Sequence, residues 1–200
     1  MLNTGKASRK QVQQWVLNRY YYQSRIPMKD AAILSKCPEL IVRREWVKRI
    51  HDHDGSGLDA WLTLADAVGL DKDEVASCEN VLPGFRFAVD AYVQYAKDSD
   101  WKDGVCSSLT ELYAPEIHKQ RLKNWTVFYP WIEESGYEYF QKRLKEANRD
   151  VNWTLEFLED QCTTVEDVDR IADIVKFKQD VLWSMMDSLW INHVSNISNK

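Results

Sequence analysis

Arg19, Arg49, Arg121, Arg143 and Lys178 all fall on helical faces that otherwise read as apolar. Over residues 12–23 the stripe is Val12, Trp15, Val16, Arg19, Tyr22 and Gln23, a spacing that sets the arginine and the glutamine beside the tryptophan. Val42, Trp46, Arg49, Ile50 and His53 share a second face. Glu111, His118 and Arg121 occupy one sector of a third. Tyr139 and Arg143 stand one turn apart beside Phe140 and Leu144, and Lys178 is in phase with Ile174, Val181 and Met185. A single in-phase arginine has a bland explanation, since it can snorkel to water or pair with a carboxylate. Five helices repeating the pattern require a common solvent-filled cavity or a common ligand, because an unpaired buried charge costs several kcal/mol. The five cations face one evident acid, Glu111. Such a cavity implies a small polyanion, and the planar fork of arginine suits carboxylates.

Other chemistries lack their residues. His51 and His53 are two apart and diverge on a helix, so His51-Asp52-His53-Asp54 does not hold a metal there. ExxH and HExxH are absent, which argues against a carboxylate-bridged di-iron bundle. Glu111 and His118 share a face, but two ligands do not make a site. No metal is therefore expected. GxGxxG, P-loop and GxSxG motifs are also absent, and His193 reads as structural or exposed.

The elements that must position these residues read as helices throughout. Ser8-Arg9-Lys10-Gln11 has capping-box spacing and predicts a helix to about Gln23, with Pro27 as its break. Helices are expected next over Asp30–Lys36, from Leu40 to His51 or His53 (ending at Asp54-Gly55-Ser56-Gly57), over Leu58–Val68 closed by Gly69, and over Lys72–Glu79. Phe85–Lys97, Val105–Trp125 with a kink at Pro115, Glu133–Cys162 and Thr164–Val194 follow. No period-2 run, repeat or Ser/Gly/Pro-rich linker divides the chain, so one all-α domain over residues 1–200 is expected.

Composition agrees: 44% of the 200 residues are hydrophobic and 28% charged, with only 7 Gly and 5 Pro to punctuate short strands. A net charge of −5 argues against nucleic acid or an anionic membrane as partner. No stretch reaches the roughly 18–20 apolar residues of a membrane span. The N-terminal MLNTGKASRK lacks a signal-peptide core, and Cys37, Cys78, Cys106 and Cys162 form no CxxC, so a reducing cytoplasm is expected.

Several blocks resemble the pyrroloquinoline-quinone synthase family. They include Arg19-Tyr20-Tyr21-Tyr22-Gln23 followed by Ile26-Pro27-Met28-Lys29-Asp30, then Arg49-Ile50-His51-Asp52-His53-Asp54-Gly55, and Leu82-Pro83-Gly84-Phe85-Arg86-Phe87-Ala88. Ser107-Ser108-Leu109-Thr110-Glu111-Leu112, Ile117-His118 with Arg121, Tyr129-Pro130-Trp131-Ile132, Tyr139-Phe140 with Arg143, and Phe177-Lys178 with Leu182-Trp183-Ser184-Met185 continue the match over roughly residues 5–190.

The resemblance implies a haem-oxygenase-like bundle of about seven helices that works as a homodimer. It implies ring closure and multi-electron oxidation of a tricarboxylated, amino-bearing quinone precursor. Oxygen is the oxidant, hydrogen peroxide is released, and no metal or organic cofactor takes part. It maps carboxylate clamps onto Arg19, Gln23, Lys29, Arg49, Arg121 and Lys178, and proton and oxygen handling onto His53, His118, Tyr139 and Arg143. Tyr92, Thr110 and Glu111 line the implied pocket. The family also carries an earlier N-terminal segment with a Tyr-His pair and a longer loop after the equivalent of His53. On that account a non-catalytic binder of the quinone or its precursor is the alternative expectation. A metal-dependent oxygenase on the same bundle is the third.

Overall fold

The computed structural model describes residues 1–198. Among these there are nine α-helices and no strand, seven of the helices ten residues or longer, as the all-α expectation requires. Helix α1 runs over Arg9–Lys36 and starts at the expected box: Gln11 N donates to Ser8 Oγ at 3.3 Å, and Ser8 N donates to Gln11 Oε1 at 2.8 Å. Pro27 does not break it. A proline inside a helix costs about 3 kcal/mol, but α1 buries side chains along its whole length, from Val12 to Ile33, and that packing outweighs the loss. The expected second helix is thus the end of the first. Having no N–H, Pro27 also gives nothing to the carbonyl of Gln23.

Helix α2, Leu40–His51, does not end in a loop as its glycines suggest. It continues through a wide, π-helical stretch over Asp52–Gly57 into α3, Leu58–Ala67. Such insertions re-aim side chains, and this one buries His53. Gly69 closes α3 at φ +79°, with Leu70 N donating to Ala65 O at 2.9 Å. Helix α4 is Lys72–Ser77, capped by Asp71, and α5 is Pro83–Asp98.

The expected continuous helix over 105–125 is three pieces: α6, Trp101–Cys106; a 3-10 turn, Leu109–Tyr113; and α7, Ala114–Phe128. Pro115 sits in the first turn of α7, where its missing N–H has no cost, instead of kinking a helix. Helix α8 is Glu138–Gln161 and α9 is Val165–Ser198, the latter opened by Thr164, whose Oγ1 accepts from Asp167 N at 3.1 Å. Helices α5 and α9 pack closely where Gly84 meets Ser188, since a Cβ at 84 would lie 2.5 Å from Ser188 Oγ.

The buried apolar residues form two clusters. One gathers Val12, Trp15, Trp61, Phe85, Trp125 and Phe140; the other gathers Ile33, Trp46, Trp101, Val105 and Phe157. Three helices, and the continuous run of α2 into α3, cross from one cluster to the other and carry polar residues at the crossing. On α1, Lys29 and Asp30 lie between Ile26 and Ile33; on α9, Lys178 lies between Ile174 and Val181. On α8, Arg143 and Asp150 lie between Phe140 and Phe157, and Arg49 and His53 lie between Trp46 of α2 and Ala60 of α3. A polar layer therefore separates two dry cores.

Candidate active site

Eight of the thirteen expected site residues line one cavity in that layer: Arg19, Gln23, His53, Glu111, His118, Arg121, Tyr139 and Arg143. Tyr22, Ile26, Trp61 and Ala114 complete the wall. Its volume is about 70 Å³, room for a few waters and well below the about 300–1,000 Å³ of ordinary ligand sites.

Four of the remaining five lie behind the wall. Lys29 Nζ is 2.5 Å from Asp30 Oδ1 and donates to Ser108 Oγ at 2.8 Å. Arg49 is surrounded by carboxylates: Nη2 is 2.7 Å from Glu111, Nη1 is 3.3 Å from Asp150, and Nε is 3.9 Å from Asp30. Tyr92 is buried, with Lys178 Nζ 3.2 Å and Lys29 Nζ 5.4 Å from its ring centroid. Lys178 Nζ lies 2.7 Å from the hydroxyl of Tyr22. Thr110, the fifth, is half-buried and adjoins Glu111 in the 3-10 turn.

Asp30 and Asp150 are the partners that sequence phase could have disclosed, since they follow Gln23 and Arg143 by seven residues on the same stripes. Tyr22 and Trp61 carried no such mark, because an aromatic on an apolar stripe reads as core.

The charges follow from these neighbours. Burial alone would raise the Glu111 carboxyl, but Arg49, Lys29 and Arg143 outweigh it and hold it well below the usual carboxylate range. Burial opposes charge on Arg49, but Glu111, Asp30 and Asp150 more than offset that and raise it. Arg121 has no such help. Burial, and then the nearby Arg19, bring its guanidinium down to about 9. Its contacts are aromatic: 4.5 Å to the Trp15 ring, 5.8 Å to Trp125 and 5.4 Å to Phe140.

Both histidines are held neutral. Burial and Arg143 lower His53 to about 4, and burial with Arg121 and Arg143 lowers His118 to about 3. His53 Nδ1 is 3.0 Å from the Arg49 carbonyl, which can only accept. Nδ1 therefore carries the proton, and Nε2 is the basic nitrogen of a ring that lines the cavity. His118 Nδ1 and Arg121 Nε are buried with no hydrogen-bond partner among the described residues. Two unsatisfied buried polar atoms in one small cavity mark a place for a ligand. Arg121 also lines a larger apolar groove of about 630 Å³, bounded by Leu2, Trp15, Trp183, Leu189 and Trp190. It is the residue the two cavities share.

The sequence profile of the TENA/THI-4/PQQC family matches residues 1–188. The chain belongs to this family. A pyrroloquinoline-quinone synthase of Pseudomonas aeruginosa is 55% identical over 190 residues, covering 92% of this chain and 76% of its own. Proteins of the same name from Klebsiella pneumoniae and Acinetobacter baumannii are each 51% identical, covering 94% and 98% of this chain and 77% and 80% of their own. These relatives bear out the resemblance read from the motif blocks.

A Shewanella denitrificans domain of unknown function with a haem-oxygenase-like fold superimposes at TM-score 0.80, with 15% identity over 100% of this chain and 85% of that one. A TenA homologue from Pseudomonas syringae gives 0.77, with 11% identity over 94% of this chain and 82% of that one. At these identities the two structures establish the haem-oxygenase-like fold alone.

Proposed function

We propose that the chain is a pyrroloquinoline-quinone synthase, which closes the rings of a tricarboxylated, amino-bearing quinone precursor and oxidises it with molecular oxygen. In this reading the enzyme is cytoplasmic and homodimeric, uses no metal or organic cofactor, and releases hydrogen peroxide. The observation that carries it is the identity of 51–55%, over at least 92% of the chain, to proteins of that name.

The cavity supports the substrate class. Arg19 and Arg121 meet no carboxylate among the described residues, and a ligand's carboxylates complete them. A cavity of about 70 Å³ must widen to admit a fused-ring tricarboxylate. Arg121, which lines both, is the side chain whose movement would open it toward the apolar groove.

His53 Nε2 takes a proton during ring closure. In the empty site its affinity for that proton is low, but three bound carboxylates raise it, so the base strengthens when substrate arrives. His118, Tyr139 and Arg143 offer donors where reduced oxygen develops charge. Each pair of electrons passed to oxygen, with two protons, gives one hydrogen peroxide. An electron-rich precursor donates these electrons itself, which is why a metal is not needed.

The homodimer is supported by apolar side chains left in solvent, among them Phe87, Trp183, Trp190 and Ile191. The cytoplasm is supported by four free cysteines.

The test is oxygen uptake by chelator-treated protein given the precursor, with peroxide and the quinone absorbance followed together. Uptake with peroxide and quinone is expected. Ligand binding without uptake would reduce the protein to a binder, and activity only with added metal would overturn the metal-free reading.

A further inference from the structure

Lys178 differs from the other cations of the polar layer. It is as buried as Lys29, yet Lys29 has Asp30 at 2.5 Å while no carboxylate pairs with Lys178 among the described residues. Among the described residues its only hydrogen-bond partner is the Tyr22 hydroxyl at 2.7 Å, and its nitrogen sits 3.2 Å above the Tyr92 ring. Lys29, Arg19 and Asp30 of α1 and Glu111 of the 3-10 turn supply the nearby charge, two cations against two acids that are already paired.

Lys178 does not line the cavity, but Tyr22 does. The tyrosine is itself held by the Arg19 guanidinium, 4.0 Å from its ring centroid, and by the near-parallel Tyr92 ring at 6.3 Å.

We propose that Tyr22 connects the substrate cavity to Lys178, whose uncharged amine acts as the proton acceptor behind the wall. This rests on the synthase reading and adds to it a residue that sequence phase did not mark. The amine is uncharged in the empty site because a buried ammonium needs a carboxylate, and the rings of Tyr92 and Tyr22, 3.2 and 4.5 Å from its nitrogen, do not replace one. Burial first, and then Lys29 and Arg19, push its proton affinity far below that of a free lysine. Burial likewise raises Tyr22 well above 10, so the tyrosine relays a proton without ionising.

The step is a double transfer. An acidic N–H or O–H of the bound precursor gives its proton to Tyr22 Oη as the Tyr22 hydroxyl proton moves to the lone pair of Lys178 Nζ. The precursor keeps the electron pair and becomes more anionic among Arg19, Arg121 and the new ammonium. Tyr22 ends as it began. The same two hydrogen bonds return the proton when reduced oxygen needs it.

Nitrogen-15 NMR of lysine side chains in the full chain reads the amine directly, with Lys178 assigned by its absence in Lys178→Met. The expected result is an uncharged Lys178 at pH 8 in free protein and a charged one after the product quinone is added. An ammonium in free protein at pH 8 overturns the proposal, whether or not the protein turns over precursor. This arm therefore fails independently of the synthase reading.

In steady state, Tyr22→Phe keeps the ring stack and removes the relay. Its kcat should fall by about 100-fold, the scale of one lost acid–base contact. KM should stay within about threefold, and the acid limb of the kcat–pH profile should disappear. Turnover within about twofold of wild type with an unchanged profile would show Tyr22 to be packing only.

Discussion

Arg49 and Arg121 border the same polar layer and are stabilised in opposite ways. Arg49 meets Glu111, Asp150 and Asp30, and one turn on, its carbonyl holds the His53 ring. Arg121 meets Trp15, Trp125, Phe140 and a second arginine, and no carboxylate among the described residues. The region around Arg49 is electrically complete when the cavity is empty. The region around Arg19, Arg121 and His118 is not, and a ligand bearing carboxylates completes it. Pairing with protein carboxylates therefore separates residues that build the site from residues that await the substrate, although all of them are cations of one layer or their neighbours.

The largest expected effect lies in the paired region. Arg49→Met leaves Asp30, Glu111 and Asp150 buried without their shared cation and should cost about 3–5 kcal/mol of stability in urea unfolding. A loss under about 1 kcal/mol would break the comparison. Arg121→Met should do the reverse: stability within about 1 kcal/mol of wild type, but affinity for the product quinone lower by about 10- to 150-fold, the worth of a charged hydrogen bond of about 1.5–3 kcal/mol. Calorimetric titration checks it.

Acid sharpens the contrast next. His53 and His118 take protons more readily unfolded than folded, so stability rises with pH from about 4 up to the ordinary imidazole value near 6.5 and is level above it. Each ring contributes a slope approaching about 1.4 kcal/mol per pH unit in that window. Urea midpoints measured across it should fall on acidification, with a shallower slope in His53→Gln and in protein saturated with the quinone. A slope unchanged by either would contradict neutral, ligand-facing histidines. The smallest effect is in Lys178→Met, which replaces an unpaired buried amine with an apolar chain of similar length. Its thermal midpoint should equal or slightly exceed that of wild type, and a clear drop would mean Lys178 belongs with the paired set.

Much of this was legible in the sequence. The box at Ser8, the stop at Gly69 and the phase of Arg19, Gln23, His53, His118 and Arg143 each follow from local spacing, and each is found in place. The breaks were less legible. Pro27 carries a local stop signal that burial of α1 on several sides overrides, and Gly55–Gly57 carry one that the chain passes in a π-helical stretch burying His53. The break at Ser107–Ser108 was hidden in turn, because Ser107 Oγ donates to Gly104 O at 2.6 Å and Ser108 serves Lys29. Least visible was the division among the cations. Arg49 and Arg121 look alike on their helices, and what separates them is Asp150, distant in the chain from both.

The central claim is that unpaired cations in the cavity hold the ligand's carboxylates. Titrating wild-type protein with pyrroloquinoline quinone and with its trimethyl ester tests it without altering the fold. The acid should bind at least about 100-fold more tightly than the ester, as expected when two or more charged hydrogen bonds are lost. Equal affinities would mean that the ligand is held by the aromatic walls, and the division between paired and waiting cations would have no part in recognition.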